Sequence, residues 1–307
     1  MLFKRIRFGL ALALMLSLLA FGMACKKGSD DDDDDVAEEG GAGAPAGIAY
    51  KPSGNEGTIT GKVNLTGSAP SPQPIDMSQD ANCKSKNPNA VTETLVAKDG
   101  KLEYVFVYIK DGTLTEGNKK IGTLSFPTPE TEAVLDQNGC HYVPHVVGMQ
   151  ANQKLKILNS DPTGHNIHAL PKAGSGNEEW NESQPGGAPP IIRTFKRSEI
   201  LVPVKCNQHP WMKAYIAVMK NPFYAVSKED GTFEIKGVPP GTYTIAAWQE
   251  KGGGGKGTEK TMQVTVTAKG SAAADFTFSA EELAAVISNG TSLEMMPALD
   301  IPMLMRH

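Results

Sequence analysis

The sequence predicts an all-β protein. Its 307 residues include 32 glycines and 21 prolines, and short runs rich in valine, isoleucine, threonine and tyrosine lie between these turn-forming residues. Polar and apolar residues alternate over 58–65, as in a strand with one buried face. Over 102–110 both alternating sets are apolar, which predicts a central strand that is covered on both sides.

The remaining elements follow from the same patterns. Further strands are predicted at 133–135, 141–147, 154–158, 191–195, 200–205, 215–219, 262–267 and 274–278. A long polar loop is expected over 174–190 and a short helix over 281–286. A hairpin is predicted over 225–235, because it contains an Asp-Gly pair that favours a tight turn.

The N-terminus has the composition of an export signal. Three basic residues precede an apolar run over 8–24, which is too short and one-sided for a membrane span. The run ends Gly22-Met23-Ala24-Cys25 and resembles a bacterial lipoprotein signal, although such signals usually have an aliphatic residue where Gly22 stands. The resemblance implies lipidation of Cys25 and an exported, membrane-anchored chain facing the periplasm or cell surface. Ordinary secretion and an uncleaved anchor are the alternatives.

Charge is concentrated after this signal. Six aspartates at 30–35 lack the spaced oxygen pattern of a calcium loop, and they predict an extended acidic tether over 25–56. From residue 50 onward, 25 lysines and arginines nearly balance 26 aspartates and glutamates. This near neutrality argues against a nucleic-acid partner, which requires a basic footprint, and it predicts only modest electrostatic steering of a protein partner.

One short stretch has a ligand set suited to copper. Cys206-Asn207-Gln208-His209-Pro210-Trp211-Met212 offers a thiolate, an imidazole and a thioether between two predicted strands. A blue copper site uses one Cys, two His and a weak axial Met, so a second histidine is needed from elsewhere. The best candidate is His165, in the segment Gly164-His165-Asn166-Ile167-His168.

These two segments resemble the ligand segments of cupredoxins, the small blue copper proteins of the amicyanin and plastocyanin type. The resemblance covers roughly 133–220, and it implies a Greek-key β-sandwich that holds one type 1 copper ion. The implied ligands are His165, Cys206, His209 and Met212. We expect Trp211, Asn166 and His168 to surround these ligands; Trp211 either shields the copper or packs in the core, and His168 either packs or contacts a ligand. His209 is expected at the solvent edge as the exit for electrons.

The C-terminal part resembles a second family. The patterns D-G-x-F-x-I at 230–235 and V-P-P-G-x-Y-x-I at 238–245 are similar to those of the carboxypeptidase regulatory-like domain, a small transthyretin-like β-sandwich without catalytic residues. The predicted organisation is a signal peptide at 1–24, a tether at 25–56, a copper domain at 57–220, a regulatory-like sandwich at 221–280 and a Met-rich tail at 281–307. Residues 57–66 could instead pair with the C-terminal sandwich.

Two cysteines remain for a disulfide. An exported chain meets an oxidising compartment, so we expect Cys83 and Cys140 to pair. Cys140, His141 and His145 form a second cluster, interpreted either as a disulfide cysteine with two strand histidines or as a second metal site. The tail methionines could capture Cu(I) or could pack on the sandwich.

The predicted function is electron transfer by a membrane-tethered type 1 copper protein that is not an enzyme. The resemblance implies a redox partner such as a c-type cytochrome or a periplasmic dehydrogenase. One alternative is a copper storage or delivery lipoprotein. Another is a surface scaffold protein whose copper motif is not functional.

Overall fold

The computed structural model of the protein describes residues 47–284. The predicted signal peptide, the lipidation site Cys25, the aspartate run and residues 285–307 of the Met-rich tail lie outside the described residues. Within 47–284, no helix has the length and apolar character needed to cross a membrane.

Strands make up most of the described chain. In chain order they are β1 (Ile48–Ala49), β2 (Gly57–Thr66), β3 (Ala97–Lys98), β4 (Lys101–Leu102), β5 (Phe106–Leu114), β6 (Leu124–Ser125), β7 (Ala133–Gln137), β8 (Tyr142–Val143), β9 (Val146–Gln150), β10 (Leu155–Asn159), β11 (His165–Ala169), β12 (Trp180–Gln184), β13 (Ile191–Arg193), β14 (Glu199–Lys205), β15 (Lys213–Met219), β16 (Tyr224–Val226), β17 (Thr232–Val238), β18 (Gly241–Gln249), β19 (Thr258–Val266), β20 (Ser271–Ala273) and β21 (Phe276–Ser279). The α-helices are α1 (Ala81–Lys86) and α2 (Ala280–Ala284), and single 3-10 turns occupy Glu116–Asn118 and Ile121–Thr123. The all-β prediction is therefore confirmed.

The first sandwich combines the two ends of the described chain. One sheet has the order β16-β5-β18-β19, and the other has the order β17-β2-β4-β3 with β20 and β21 also paired to β2. Apolar side chains of both sheets form one buried core, among them Val63, Val107, Phe233 and Ile245. Strand β2 pairs with β17, β20 and β21, so residues 57–66 belong with the C-terminal strands. The predicted boundary at residue 220 placed residues 57–66 in the copper domain, and this strand pairing departs from it.

The second sandwich contains the predicted copper segments. Its sheets have the orders β13-β10-β7-β8 and β12-β11-β14-β15-β9, with parallel pairing between β7 and β10 and between β9 and β15. The core between them includes Leu135, Ile157, Ile167, Val204 and Ile216. Alternate residues of each strand point into this core, which is the period that the sequence shows.

A third apolar cluster joins the two sandwiches. Alternate residues of β5 and β18 point away from the first core, and Phe106 and Trp248 pack with Val146 and Ala217 of the second sandwich. The central strand predicted over 102–110 is confirmed from Phe106 onward, because β5 lies between β16 and β18 and its first four residues are buried on both faces. Leu102 belongs instead to β4 in the other sheet of the first sandwich. Burying an aromatic side chain such as Phe106 stabilises the fold by about 1.5–3 kcal/mol.

The predicted hairpin over 225–235 is wrong, although its turn is present. Gly231 has a φ of 73° and its N–H bonds to the carbonyl of Lys228. However, β16 pairs with β5 and β17 pairs with β2, so the chain crosses from one sheet of the first sandwich to the other at this turn. A tight turn can therefore connect strands of two different sheets as well as neighbouring strands of one sheet.

Two further segments differ from expectation. The predicted polar loop over 174–190 contains β12, an edge strand that pairs with β11 and keeps polar side chains in solvent. Helix α1 forms in a stretch with no apolar period, because the Asp80 side chain accepts from the N–H groups of Asn82 and Cys83 and caps the helix.

Candidate metal centre

The loop 206–212 joins two paired strands of the second sandwich. Strand β14 ends at Lys205 and β15 begins at Lys213, and these two residues face each other in the antiparallel register. Inside the loop the Cys206 N–H bonds to the Met212 carbonyl at 3.1 Å, and the Met212 N–H bonds to the His209 carbonyl at 2.9 Å. These bonds turn the Cys206 and Met212 side chains into the same buried cluster.

Strand β11 brings His165 beside this loop. It runs antiparallel to β14 with His168 opposite Lys205, so the start of β11 lies next to residues that follow Lys205. The Asn166 side-chain oxygen accepts from the Asn207 N–H at 2.8 Å and from the Cys206 thiol at 3.3 Å. Asn166 is held in turn by a 2.8 Å bond from its amide to Asn181.

Three donor atoms converge at this point. Potential ligand atoms of His165, Cys206 and His209 lie within 4.8 Å of one another, and all three residues are buried. The two Nδ1 atoms are 2.9 Å apart, and the Cys206 Sγ lies 3.7 Å from the His209 Nδ1. Donors bound at about 2.0–2.3 Å to one ion lie about 3–4 Å from each other, so the three fit a metal ion. Met212 is fully buried in the same cluster.

A carboxylate lies behind His165. The Asp161 Oδ2 is 2.9 Å from the His165 Nε2, and both side chains are fully buried. Asp161 also accepts from the N–H groups of Gly139 and Cys140 and pairs with Lys86 at 2.8 Å. Burial alone would raise the pKa of Asp161, but the hydrogen bonds from His165 and Lys86 hold it well below its usual range.

A second carboxylate lies behind His209. The Asp80 Oδ2 is 3.3 Å from the His209 Nε2, and Asp80 is fixed by a 2.8 Å bond from the Thr163 hydroxyl as well as by capping α1. Each histidine therefore directs Nε2–H at a carboxylate and leaves Nδ1 free to act as a ligand. This arrangement is the usual way in which proteins select the ligating nitrogen of a histidine.

The neighbours of the three donors shift their pKa values. Burial disfavours the charged form of His165, but Asp161 and Cys206 outweigh it and raise its pKa to about 9. Burial and the neighbouring charge of His165 lower the pKa of His209. Burial raises the pKa of Cys206, but the hydrogen bond from His165 and the backbone N–H groups outweigh it and lower this pKa. The raised pKa of His165 favours a doubly protonated ring at neutral pH, so a metal ion bound at Nδ1 would replace a proton.

The predicted position of His209 at the solvent edge is wrong. His209 is 5% exposed, and its Nε2 lies 3.8 Å from the sulfur of Cys83 as well as beside Asp80. Cys83 and Cys140 form a disulfide, as expected for an exported chain. Because Cys83 belongs to α1, the disulfide holds this helix against the edge of the His209 imidazole. The covering segment lies far from the loop in sequence, so the motif alone did not reveal it.

Two other residues named from the sequence lie nearby but play different parts. The Trp211 ring lies 5.1 Å from that of His209, and its indole N–H bonds to the Cys140 carbonyl at 3.0 Å. His168 faces away from the donor cluster and contacts Glu179 at 2.6 Å and Asn207 at 3.2 Å. Trp211 therefore borders the centre, whereas His168 supports the loop from outside.

Sequence patterns missed the two carboxylates. Asp161 lies four residues before His165 in a turn-rich loop, and this proximity was an available but unspecific signal. Asp80 gave no signal, because 129 residues separate it from His209.

Comparison with known proteins gives partial similarities. A family model described as polysaccharide lyase family 4, domain II, of the fn3 type, matches residues 211–274. This match does not show the transthyretin-like family expected for the C-terminal part. No curated protein matches the chain.

Several solved copper proteins are similar over part of the chain. A Cu-containing nitrite reductase from Thermus scotoductus is 18% identical with a TM-score of 0.27, and the match covers 30% of this chain and 23% of that one. Amicyanin from Paracoccus versutus is 16% identical with a TM-score of 0.26, covering 37% and 97%. A purple cupredoxin from Nitrosopumilus maritimus is 14% identical with a TM-score of 0.24, covering 29% and 99%. These similarities do not assign the chain to a family.

Proposed function

We propose that this chain is an exported, membrane-tethered type 1 copper protein that transfers single electrons. The observation that carries the proposal is the convergence of His165, Cys206 and His209, with a carboxylate behind each imidazole. One thiolate and two imidazoles, with a buried thioether in the same cluster, form the donor set of a blue copper site. A bound copper ion would supply the one-electron couple between Cu(II) and Cu(I).

The protein groups have separate tasks in this proposal. Cys206 offers its sulfur as a thiolate, and the backbone N–H groups of the loop and His165 favour that form. His165 and His209 offer Nδ1, and their carboxylates prevent the rings from turning. Met212 adds a weak thioether donor from the end of the loop.

The surrounding structure keeps these donors in place. Both ends of the loop are anchored in paired strands, and Asn166 braces Cys206 and Asn207 from the neighbouring strand. Donors that move little when the charge of the centre changes favour rapid electron transfer. The burial of the three donors also excludes water, so we assign the centre no catalytic role.

Burial distinguishes the proposal from storage or delivery of copper. A delivery site must release its metal readily, whereas here the donors lie beneath α1 and the Cys83–Cys140 disulfide. All three donor residues are buried, and His209 is only 5% exposed. We therefore favour a resident metal over a transferred one.

The remaining parts of the proposal concern setting and partners. Lipidation of Cys25 would hold the chain at a membrane, and the acidic tether would let the folded part reach a c-type cytochrome or a periplasmic dehydrogenase. The near neutrality of the chain from residue 50 onward implies that such an encounter depends weakly on salt. We further propose that the first sandwich is a regulatory-like, transthyretin-like spacer without catalytic residues.

A visible spectrum tests the copper site. Adding Cu(II) to the purified metal-free chain should produce an intense thiolate-to-copper absorption band at one copper per chain. The band should disappear in Cys206→Ser and persist in His168→Gln, a matched histidine control outside the donor cluster. Absence of the band, or its survival in Cys206→Ser, would leave the scaffold alternative.

Voltammetry tests the function of a confirmed site. Electron transfer requires a reversible one-electron wave with copper retained through many cycles. Rapid loss of Cu(I) to a chelator would instead support storage or delivery.

A further inference from the structure

A buried histidine and a buried carboxylate meet at the contact between the two sandwiches. His145 precedes β9 of the second sandwich, and Glu250 follows β18 of the first. The His145 Nε2 lies 3.3 Å from the Glu250 Oε2, and the two side chains are 4% and 7% exposed. Val146 and Trp248, their near neighbours in sequence, belong to the apolar cluster that joins the sandwiches. A polar contact therefore accompanies the apolar one.

A second carboxylate faces the other nitrogen of the His145 ring. The Glu93 Oε2 lies 3.9 Å from the His145 Nδ1 and 3.1 Å from the His141 Nδ1. Glu93 belongs to the loop between α1 and β3, and this loop is tied to β18 because the Gln249 side chain donates to the Thr94 carbonyl at 2.8 Å. The ring therefore lies between two carboxylates that are both attached to the first sandwich.

These contacts distinguish between the two interpretations of Cys140, His141 and His145. Cys140 is bound in the disulfide. Within residues 47–284, the groups of donor atoms that converge closely enough to hold a metal ion do not include His141 or His145. The structure thus favours a disulfide cysteine with two histidines that pair with carboxylates.

The other groups around the His145 ring are two phenols and a backbone amide. The ring centroids of Tyr104 and Tyr215 lie 5.6 and 6.0 Å from that of the imidazole, and the backbone of Lys213 forms a hydrogen bond with it. Burial, together with the charge of Glu103, raises the pKa of Tyr104 to about 12, so this phenol is neutral at ordinary pH. The charge of the contact is therefore set by the histidines and the glutamates.

Within the described part of the chain, no lysine or arginine forms an ion pair with Glu93 or Glu250, which pair with His141 and His145. The Glu250 Oε1 is also buried without a hydrogen-bond partner among these residues. A buried carboxylate beside an imidazolium is compensated, whereas the same carboxylate beside a neutral ring is strongly unfavourable. The protonation of His145 therefore decides whether its contact with Glu250 stabilises the structure.

We propose that a proton on His145 holds the two sandwiches together through Glu250, and that loss of this proton loosens their contact. The charged pair connects the residue after β18 directly with the residue before β9. Without the proton, the Glu250 carboxylate is left buried beside neutral groups, and the structure gains by moving this carboxylate towards water. The relative position of the sandwiches is therefore sensitive to pH.

The direction of the pH dependence follows from the neighbours of His145. Burial disfavours the charged ring, but the hydrogen bond and charge of Glu250, the charge of Glu93 and the Lys213 backbone outweigh it and raise the pKa of His145 above its ordinary 6.5. The stabilising contribution is therefore complete below about pH 6.5 and is lost as pH rises through the raised pKa of the folded chain.

The proposal is independent of the copper site. His145, Glu93 and Glu250 do not belong to the donor cluster of His165, Cys206 and His209. Each of the two proposals can therefore fail without the other.

Nuclear magnetic resonance of the metal-free chain tests the charge of His145. Its imidazole signals, identified by their absence from His145→Gln, should titrate above about pH 6.5. In Glu250→Gln the pKa of His145 should fall, because its first partner no longer carries a charge. Glu229→Gln is the matched control and should leave the titration unchanged, since Glu229 is exposed and pairs with Lys98.

Residual dipolar couplings of the same chain test the contact between the sandwiches. Below the titration of His145 the two sandwiches should share one alignment tensor, and above it their tensors should differ. Thermal unfolding gives a second measure, since Tm should fall more between about pH 6 and about pH 9 in the unsubstituted chain than in His145→Gln. His165 and Cys206 also have shifted pKa values, but both chains contain them, so their contributions cancel in this difference.

Two results would overturn the proposal. Titration of His145 at or below about pH 6.5 would show that the ring is not held in its charged form. A raised pKa with one shared alignment tensor on both sides of the titration would show that the ion pair forms but does not hold the sandwiches together. Both measurements can be made on the unsubstituted chain, so they decide the question even if a variant fails to fold.

Discussion

The Nδ1 atoms of His165 and His209 lie 2.9 Å apart, and their ring planes are inclined by 69°. Each ring presents its opposite nitrogen, Nε2, to a carboxylate. Two lone pairs cannot face each other at this distance without repulsion, so a proton or a metal ion must lie between them. We therefore predict that metal binding displaces a proton from this cluster.

Copper affinity should rise with pH. In the metal-free chain the pKa of His165 is raised from 6.5 to about 9, so the ring is protonated at neutral pH and must lose that proton when metal binds. Apparent affinity should increase about tenfold per pH unit up to about pH 9 and then level off. Competition titrations in roughly unit steps between about pH 6 and about pH 10 measure this slope. A flat profile would show that no proton is displaced.

The same shift has a consequence for folding of the metal-free chain. Because the folded-state pKa of His165 is higher than the unfolded one, its stabilising contribution is complete below about 6.5 and is lost as pH rises through about 9. The lowered pKa of Cys206 contributes with the opposite sign in this window. Denaturant titrations should therefore show a falling free energy of unfolding in Cys206→Ser, where this opposing contribution is absent, and a flatter profile in the unsubstituted chain.

Asp161→Asn should weaken copper binding. The substitution keeps the shape of the side chain but removes the negative charge behind the His165 Nε2. Loss of such an outer carboxylate lowers metal affinity about 10- to 100-fold. Asp136→Asn is the control, since Asp136 bonds to Ser160 rather than to a histidine. Equal affinities of the two folded variants would contradict the orienting role of Asp161.

Removing the disulfide should loosen the cover of His209. Cys83 and Cys140 are 57 residues apart, and a crosslink of this span stabilises a fold by about 2–4 kcal/mol. The double variant Cys83→Ser, Cys140→Ser should unfold at a lower denaturant concentration. It should also release copper to a chelator faster. Unchanged release would mean that α1 covers the imidazole without the crosslink.

Phe106→Ala tests the contact between the sandwiches. Phe106 is fully buried in the cluster that joins β5 to the second sandwich, so truncation should cost about 3–5 kcal/mol. Ile192→Ala, at a 45% exposed position, should change stability by less than about 0.5 kcal/mol. Denaturant unfolding followed by fluorescence and circular dichroism compares the two, and similar midpoints would show that the contact contributes little.

Several features could be predicted because their signal is local. Alternation identified β2 and the buried first half of β5, and the spacing of Cys206, His209 and Met212 indicated a ligand loop between strands. His165 was the expected second histidine, and β11 begins at this residue. These features depend on residues within one strand or one loop, where side-chain direction follows directly from sequence spacing.

The amino-acid sequence by itself determined the all-β class and the donor types that the loop 206–212 offers to a metal ion. Only the tertiary structure decided that β2 and β5 pair with C-terminal strands, that Asp80 and the disulfide cover His209, and that Glu93 and Glu250 meet His145. The physical reason is the distance along the sequence between the residues that interact. Alternation specifies which face of a strand is buried, but it does not specify the distant strand or loop that covers that face, because this choice depends on the packing of the whole core.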